Sequence, residues 1–280
     1  MAPSVPSPPV GARYAASVPL VALKFVLAPF LIGGASLAAR RWGPAVAGWL
    51  VGLPLTSGPV VLFVALEQGT AFAVDVGLAV LSGGFALCAF AIAYARGAAA
   101  RLTPPWAVVL GGLVYIGGAI ILDRLEPRSL PVLVVAVGGT LVATLRLLPP
   151  AAATHPVTHP PRWDLPARIV VGTSLIVGLT TIAPILGPTA SGLIATFPVY
   201  VTTLTYFAHR QGGADAAIAM QRGLILGLFG WLAFFATLLS ILPSAGVGRA
   251  FAAAIVAALV VQAVSLRVLR AAPEPGEVLA

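Results

Sequence analysis

The strongest constraint on this chain is a train of apolar stretches, each about as long as a bilayer core is thick. A helix rises ~1.5 Å per residue, so about 20 apolar residues cross a hydrocarbon layer of ~30 Å. Nine stretches meet that length: 16–39, 44–66, 71–95, 104–122, 130–148, 168–186, 188–208, 217–241 and 250–269. Lipid offers no water to backbone N–H and C=O groups, so such spans must be helices that bond internally. The expected fold is all-α: a polytopic integral membrane protein of about nine transmembrane helices.

Charge agrees with this. Only 9% of the 280 residues are charged, against ~25% in a soluble domain. The net charge is +8, from one Lys and fifteen Arg. The Arg residues are strung one or two to a gap rather than gathered on one face. That pattern suits anionic headgroups and argues against nucleic acid as a partner. The expected partners are the lipid bilayer and a small solute. Cys88 is the one cysteine, so it makes no internal disulfide or zinc cluster and reads as a packing residue.

The Arg distribution orients the chain. With nine spans and the N-terminus outside, Arg40, Arg41, Arg96, Arg101, Arg146, Arg162, Arg168, Arg210, Arg222, Arg267 and Arg270 fall inside. Arg13, Arg124, Arg128 and Arg249 stay outside, with Lys24 near them. Cytoplasmic loops carry the excess of basic residues, so the C-terminus is expected in the cytoplasm. The Arg-over-Lys bias hints at a bacterial inner membrane.

Sliding the sequence by 144 residues reveals an ungapped internal match. Gly43-Pro44 falls on Gly187-Pro188, Gly48 on Gly192, Pro54 on Pro198, Phe63 on Phe207 and Gly69 on Gly213. Gly83 falls on Gly227, Phe85 on Phe229 and Phe90 on Phe234, and in all eleven of the 48 positions 43–90 are identical. The matches are mostly Gly, Pro and Phe, residues with positional meaning in a helix. Each unit holds four spans with one span between them, and an odd number of crossings from one start to the next inverts the second copy. The expected organisation is a Pro-rich disordered tail at 1–15, a four-helix repeat at 16–128 and a linker helix at 129–148. A loop at 149–167, an inverted four-helix repeat at 168–270 and a tail at 271–280 complete it.

Ser191-Gly-Leu-Ile-Ala-Thr-Phe-Pro198, Phe207-Ala-His209 and the Gly-aromatic run Leu226 to Phe235 resemble the GlpM-type small four-span membrane proteins. The resemblance covers about 100 residues of the second half and, more weakly, the first. The layout is also similar to drug/metabolite transporters, in which four-span units form inverted pairs around an extra helix. This chain departs from that ten-span plan by ending after nine. It also lacks the span-one carboxylate of small multidrug exporters, so proton-coupled export does not carry over.

Paired Gly/Pro-interrupted spans at matching places in two halves point to a transport site. Span two reads Gly52-Leu-Pro54-Leu-Thr56-Ser57-Gly58-Pro59 and span seven Thr196-Phe-Pro198-Val-Tyr200-Val-Thr202-Thr203. Each proline removes a donor and frees a carbonyl four residues earlier, which neighbours, hydroxyls or water must satisfy. The candidate substrate residues are Pro54, Thr56, Ser57, Gly58, Pro198, Tyr200, Thr202 and Thr203. The plainer reading is a packing kink whose hydroxyls bond their own helix. Gly83, Gly84 and Gly227 read as close-approach positions between helices, or as hinges.

Lys24, Glu67, Asp75 and Arg222 are gating or ion-pair candidates, since ionisable residues in a membrane are functional by default. They are grouped as Lys24 with Glu67 and Asp75 at the outer mouth, and Arg222 with Asp215 at the inner. Interfacial snorkelling is the alternative, because Lys24 aligns with Arg168 at the start of its span. His155 and His159 are separated by Pro156 and flanked by Pro160, so they share no helix face and no metal is expected. No catalytic motif or cofactor fingerprint is present. The expectation is a transporter-like protein without enzyme activity, monomer or homodimer, with a non-transporting scaffold or assembly partner as the alternative.

Overall fold

The computed structural model describes residues 17–55, 57–125, 129–151, 163–182 and 197–271. Among these residues the chain is helical with no strand. The helices are α1 (Ser17–Trp42), α2 (Pro44–Val51), α3 (Ser57–Glu67), α4 (Thr70–Ala99), α5 (Pro104–Leu125), α6 (Leu130–Leu147), α7 (Asp164–Ile182), α8 (Val199–Ala245) and α9 (Val247–Ala271). α4, α5, α6, α8 and α9 are long and apolar enough to cross a membrane. The chain is thus an all-α, multi-pass membrane protein. The expected tails, the centre of the expected loop and residues 183–196 lie outside the described residues.

Helices follow one another with almost no loop because single glycines turn the chain. Gly43, Gly69, Gly213 and Gly246 all have positive φ, from 71° to 90°, a region that side chains with a Cβ rarely enter. Gly213 divides α8 into two arms, α8a (199–212) and α8b (214–245). Gln221 Nε2 donates to Thr205 Oγ1 at 3.1 Å, and both lie eight positions from Gly213. The arms therefore run back along each other as a hairpin.

Two departures from the sequence reading matter. The stretch expected as one span at 44–66 is two half-helices, α2 and α3, separated at Gly52–Leu55. The stretch expected as a loop at 149–167 already turns helical at Asp164, because its side chain is anchored among neighbouring cations.

Lipid is as apolar as a leucine side chain, so helices in it associate by close packing and polar contacts rather than by escape from water. α4 runs antiparallel to α8b: a Cβ at Gly77 would meet Leu239, and one at Gly84 would meet Trp231. α1 runs antiparallel to α7, with Gly33 beside Ile169 and Arg40 beside Asp164. α2 instead runs alongside α8b in the same direction and touches it backbone to backbone. A Cβ at Gly48 would lie 2.0 Å from the Met220 carbonyl oxygen, and one at Gly223 would lie 1.9 Å from that of Ala45. Gly52 and Gly227 face each other in the same crossing. Only glycine fits at these four places.

Gly227 is thus a close-approach residue, as expected, and Gly84 lies under Trp231 and Val137. Gly83 has open space where a Cβ would stand, which corrects its reading as a packing position. Phe90, Tyr94, Leu224, Ile225, Phe235 and Leu238 form the buried centre. α5, α6 and α9 stand outside it and present Leu113, Ile121, Val132, Val135, Val256 and Leu259 outward.

Candidate functional site

Pro54 lies between the end of α2 and the start of α3, and Pro198 stands at the start of α8a. At the first, α2 stops at Val51 and Leu53 N–H bonds the Leu50 carbonyl at 3.2 Å. That is the acceptor a residue at position 54 would have used, so the missing proline donor leaves no orphan there. Leu55 N–H then reaches back over Pro54 to the Leu53 carbonyl at 2.8 Å, and Gly58 N–H takes the Pro54 carbonyl at 2.9 Å to restart the helix. At the second, Val199 N–H reaches over Pro198 to the Phe197 carbonyl at 2.8 Å, and Thr202 N–H takes the Pro198 carbonyl at 2.9 Å. Pro198 has φ −78° and ψ 64°, the geometry of an inverse γ-turn. Every donor and acceptor in the second pattern sits 144 residues after its counterpart in the first.

The segments meet through their flanks. Val51 and Tyr200 pack into one small cluster with Ile32, Ala47, Leu204 and Met220. Ser57 accepts a hydrogen bond from Trp231 Nε1 at 3.3 Å, and Gly58 lies beneath the Phe234 ring. Phe197 is set edge-on to Tyr115, centroids 5.5 Å apart. Pro54, Pro198 and Tyr200 are half-buried, whereas Thr202 and Thr203 are buried. Thr202 Oγ1 bonds the Pro198 carbonyl at 2.9 Å, the self-bonding that a plain kink would show. Thr203 Oγ1 is buried without a partner among the described residues. Thr56 lies outside them.

The charged candidates fall at the ends. The side chains of Lys24 and Glu67 lie outside the described residues. Asp75 is exposed near the start of α4. Arg222 is half-buried and donates to the carbonyls of Leu148 and Pro149, both at 3.3 Å, so it fastens α8b to the end of α6. His155 and His159 lie outside the described residues.

The most tightly knit polar group is one that sequence reasoning missed. Asp164, with no exposed surface, takes Arg40 at 3.0 Å and Arg168 at 3.0 Å, and Gln211 also donates to it. Arg168 in turn donates to Gln211 Oε1 at 2.8 Å and lies over the Phe207 ring, 5.0 Å from its centroid. Burial pushes the Asp164 carboxyl up, but the hydrogen bond and charge of Arg168, with the bonds from Arg40 and Gln211, outweigh it and hold the group below its ordinary value. Asp164 precedes the apolar run that starts at 168, so the group ties α1, α7 and α8a together at one end of the bundle. The signal that could have found it is the acid-to-arginine spacing Asp164-x-x-x-Arg168, which places the two on one helix face. At α9, Gln262 Nε2 donates to the Trp49 carbonyl at 3.0 Å, and Trp49 Nε1 donates to Ser265 Oγ at 2.9 Å, so α2 is pinned on that side as well.

No family model, curated protein or solved structure matches this chain.

Proposed function

We propose that the protein is a secondary transporter-like carrier that moves a small solute by alternating access between two inverted four-helix units. The observation that carries this reading is the shared hydrogen-bond pattern of the Pro54 and Pro198 breaks. Two unrelated kinks have no reason to repeat a γ-turn and a helix restart at a constant offset.

Helix limits support the same reading. Moved by 144 residues, Thr70–Ala99 covers 214–243 and Pro104–Leu125 covers 248–269, beside the observed 214–245 and Val247–Ala271. Gly69 and Gly213 share both the offset and a positive φ. The matched pairs α4 with α8b and α1 with α7 pack antiparallel, as inverted copies around a pseudo-two-fold axis would. Irregular backbone at membrane depth is tolerated where it is covered by protein or lines a cavity, and the unpartnered Thr203 hydroxyl is suited to a solute there.

On this reading the chain has nine spans, with the N-terminus outside and the C-terminus in the cytoplasm of a bacterial inner membrane. It resembles GlpM-type units duplicated on a plan like that of drug/metabolite transporters, acts as monomer or homodimer, and performs no covalent chemistry. The test is flux and binding by the purified protein in liposomes across a broad solute panel. We expect one solute class to be moved, with the rate reduced by Pro54→Ala and Thr202→Val. Absence of flux and binding throughout, with both variants silent, rejects it. The alternative, a membrane scaffold or assembly partner, draws on the glycine crossing of α2 with α8b. It predicts that altering the breaks is silent while altering Gly227 disrupts assembly.

A further inference from the structure

His209 takes no part in the reading above, yet it is the buried imidazole of the arm that carries the second break. It lies on α8a, which begins at the Pro198 turn and bears Thr202 and Thr203. The residue is 8% exposed. Its partner in the structure is Tyr94 of α4, which is wholly buried: Tyr94 Oη lies 3.4 Å from His209 Nδ1, and the rings are set edge to face at 5.9 Å. Tyr94 belongs to the central core with Phe90, its ring neighbour at 5.9 Å. This contact is thus one of the fastenings of α8a to the fixed body of the protein.

Burial and the Tyr94 hydroxyl decide which form of the ring this packing accepts. From α4 the imidazole is met by the Tyr94 hydroxyl. On α8a itself Tyr206 and Gln211 are one turn or less away, with Arg210 exposed beside it. From α7 and α1, Arg168 sits over Phe207, and behind it are Asp164 and Arg40. On α8b, Asp215 lies just past the turn and Arg222 is held by the Leu148 and Pro149 carbonyls. The carboxylate on the α7 side is already shared by two guanidinium groups and an amide. An imidazolium would enter a buried place, where desolvation opposes it. A neutral ring protonated on Nε2 fits, since Nδ1 then accepts the Tyr94 hydroxyl proton.

We propose that His209 is a proton-binding site whose occupancy releases α8a from α4, so that the proton acts as a ligand of the arm bearing the second break. The argument is one of linkage. This conformation holds the neutral ring, so protonation favours any conformation in which the ring reaches water, and acidification shifts the population toward it. Release begins at the end of α8a near Arg210 and is carried up a rigid helix to Thr202, Thr203 and the Pro198 turn. As a device that couples protons to solute movement it rests on the transport reading; as a proton site that moves the arm it does not.

The test therefore uses no solute. Full-length protein in lipid nanodiscs is followed by hydrogen–deuterium exchange from about pH 8 to about pH 5.5, the range in which histidine changes charge. Rates are corrected for intrinsic chemistry with the unfolded chain. Amides of 199–212 are expected to lose protection several-fold across that range. H209Q, which keeps a polar side chain that does not titrate, should abolish the change, while a double His155→Gln, His159→Gln variant should retain it. Should H209Q fail to fold, Tyr94→Phe gives the second reading: it removes the hydrogen bond that the Tyr94 hydroxyl donates to the neutral ring, so the midpoint should move to higher pH. The proposal is overturned if wild-type protection does not change with pH, if H209Q keeps the wild-type response, or if Tyr94→Phe leaves the midpoint in place. A silent solute panel together with a normal His209 response would sink the transport reading and leave this one standing.

Discussion

The crossing of α2 with α8b and the charged group at the end of α1, α7 and α8a hold helices together by opposite means. The crossing has no side chains at its closest points: Gly48, Gly52, Gly223 and Gly227 bring two backbones into direct contact. The end group works through long side chains, with one buried carboxylate shared by Arg40, Arg168 and Gln211. The contrast goes with position along the helices: the glycines lie inside α2 and α8b, and the charged group gathers at the ends of α1, α7 and α8a. In the middle of a bilayer a charge is costly and contact is the main attraction available, so small residues maximise it. Near the headgroups water and counter-charge are within reach, and an ion pair can be both assembled and opened. A contact of the first kind is made by backbones, and one of the second kind by side chains.

The difference can be pressed hardest at the crossing. Gly223→Leu would drive a side chain into the Ala45 carbonyl, and since neither backbone can yield, the expected cost is about 3 kcal/mol or more. The variant should extract poorly and unfold early in a thermal scan in detergent. If it unfolds with the wild type, the backbones do not touch. Asp164→Asn comes next. It leaves two guanidinium groups facing each other, at an expected cost of about 2–3 kcal/mol, below that of a fully buried pair because Arg40 is 29% exposed. The same residue gives a pH signature. Its carboxyl is held below the ordinary value, so its contribution is whole above the ordinary carboxylate range and is lost as pH falls through the lowered value. Thermal unfolding of the wild type should weaken there, and Asp164→Asn should show less of that dependence. The smallest effect belongs to Gly83. Its Cβ would stand in open space, so Gly83→Ala should lie within about 1 kcal/mol of the wild type, on the stabilising side. A large loss would mean that Gly83 is a packing position like Gly227.

The two regions also differ in how far they could be read without coordinates. Pro54 separates two half-helices and Pro198 caps the start of α8a, because a missing N–H acts locally and needs no partner to be known. Gly69 and Gly213 turn the chain for the same local reason. The glycine crossing was only half legible. Gly227 looked like a contact residue, but apolar runs rich in glycine do not say which glycine meets which helix, and nothing marked Gly48, Gly52 or Gly223 as its companions at a crossing. The charged group was hidden altogether. Asp164 sits directly after a Pro-rich stretch that reads as loop, and its partners Arg40 and Gln211 are 124 and 47 positions away. Arg40 and Arg168 were visible only as topology markers, which is a statement about the membrane rather than about each other. Residues that act through distant partners need the fold before they can be seen.

What all of this depends on is that matched positions in the two halves point to opposite sides of the bilayer. Single cysteines in place of Gln68 and of Arg210, both exposed beside the Gly69 and Gly213 turns, test it in a background with Cys88 replaced by Ala. A membrane-impermeant maleimide applied to sealed vesicles of each orientation should label position 68 from one side only and position 210 from the other side only. Labelling of both from the same side would contradict the inverted pair and the transport reading built on it.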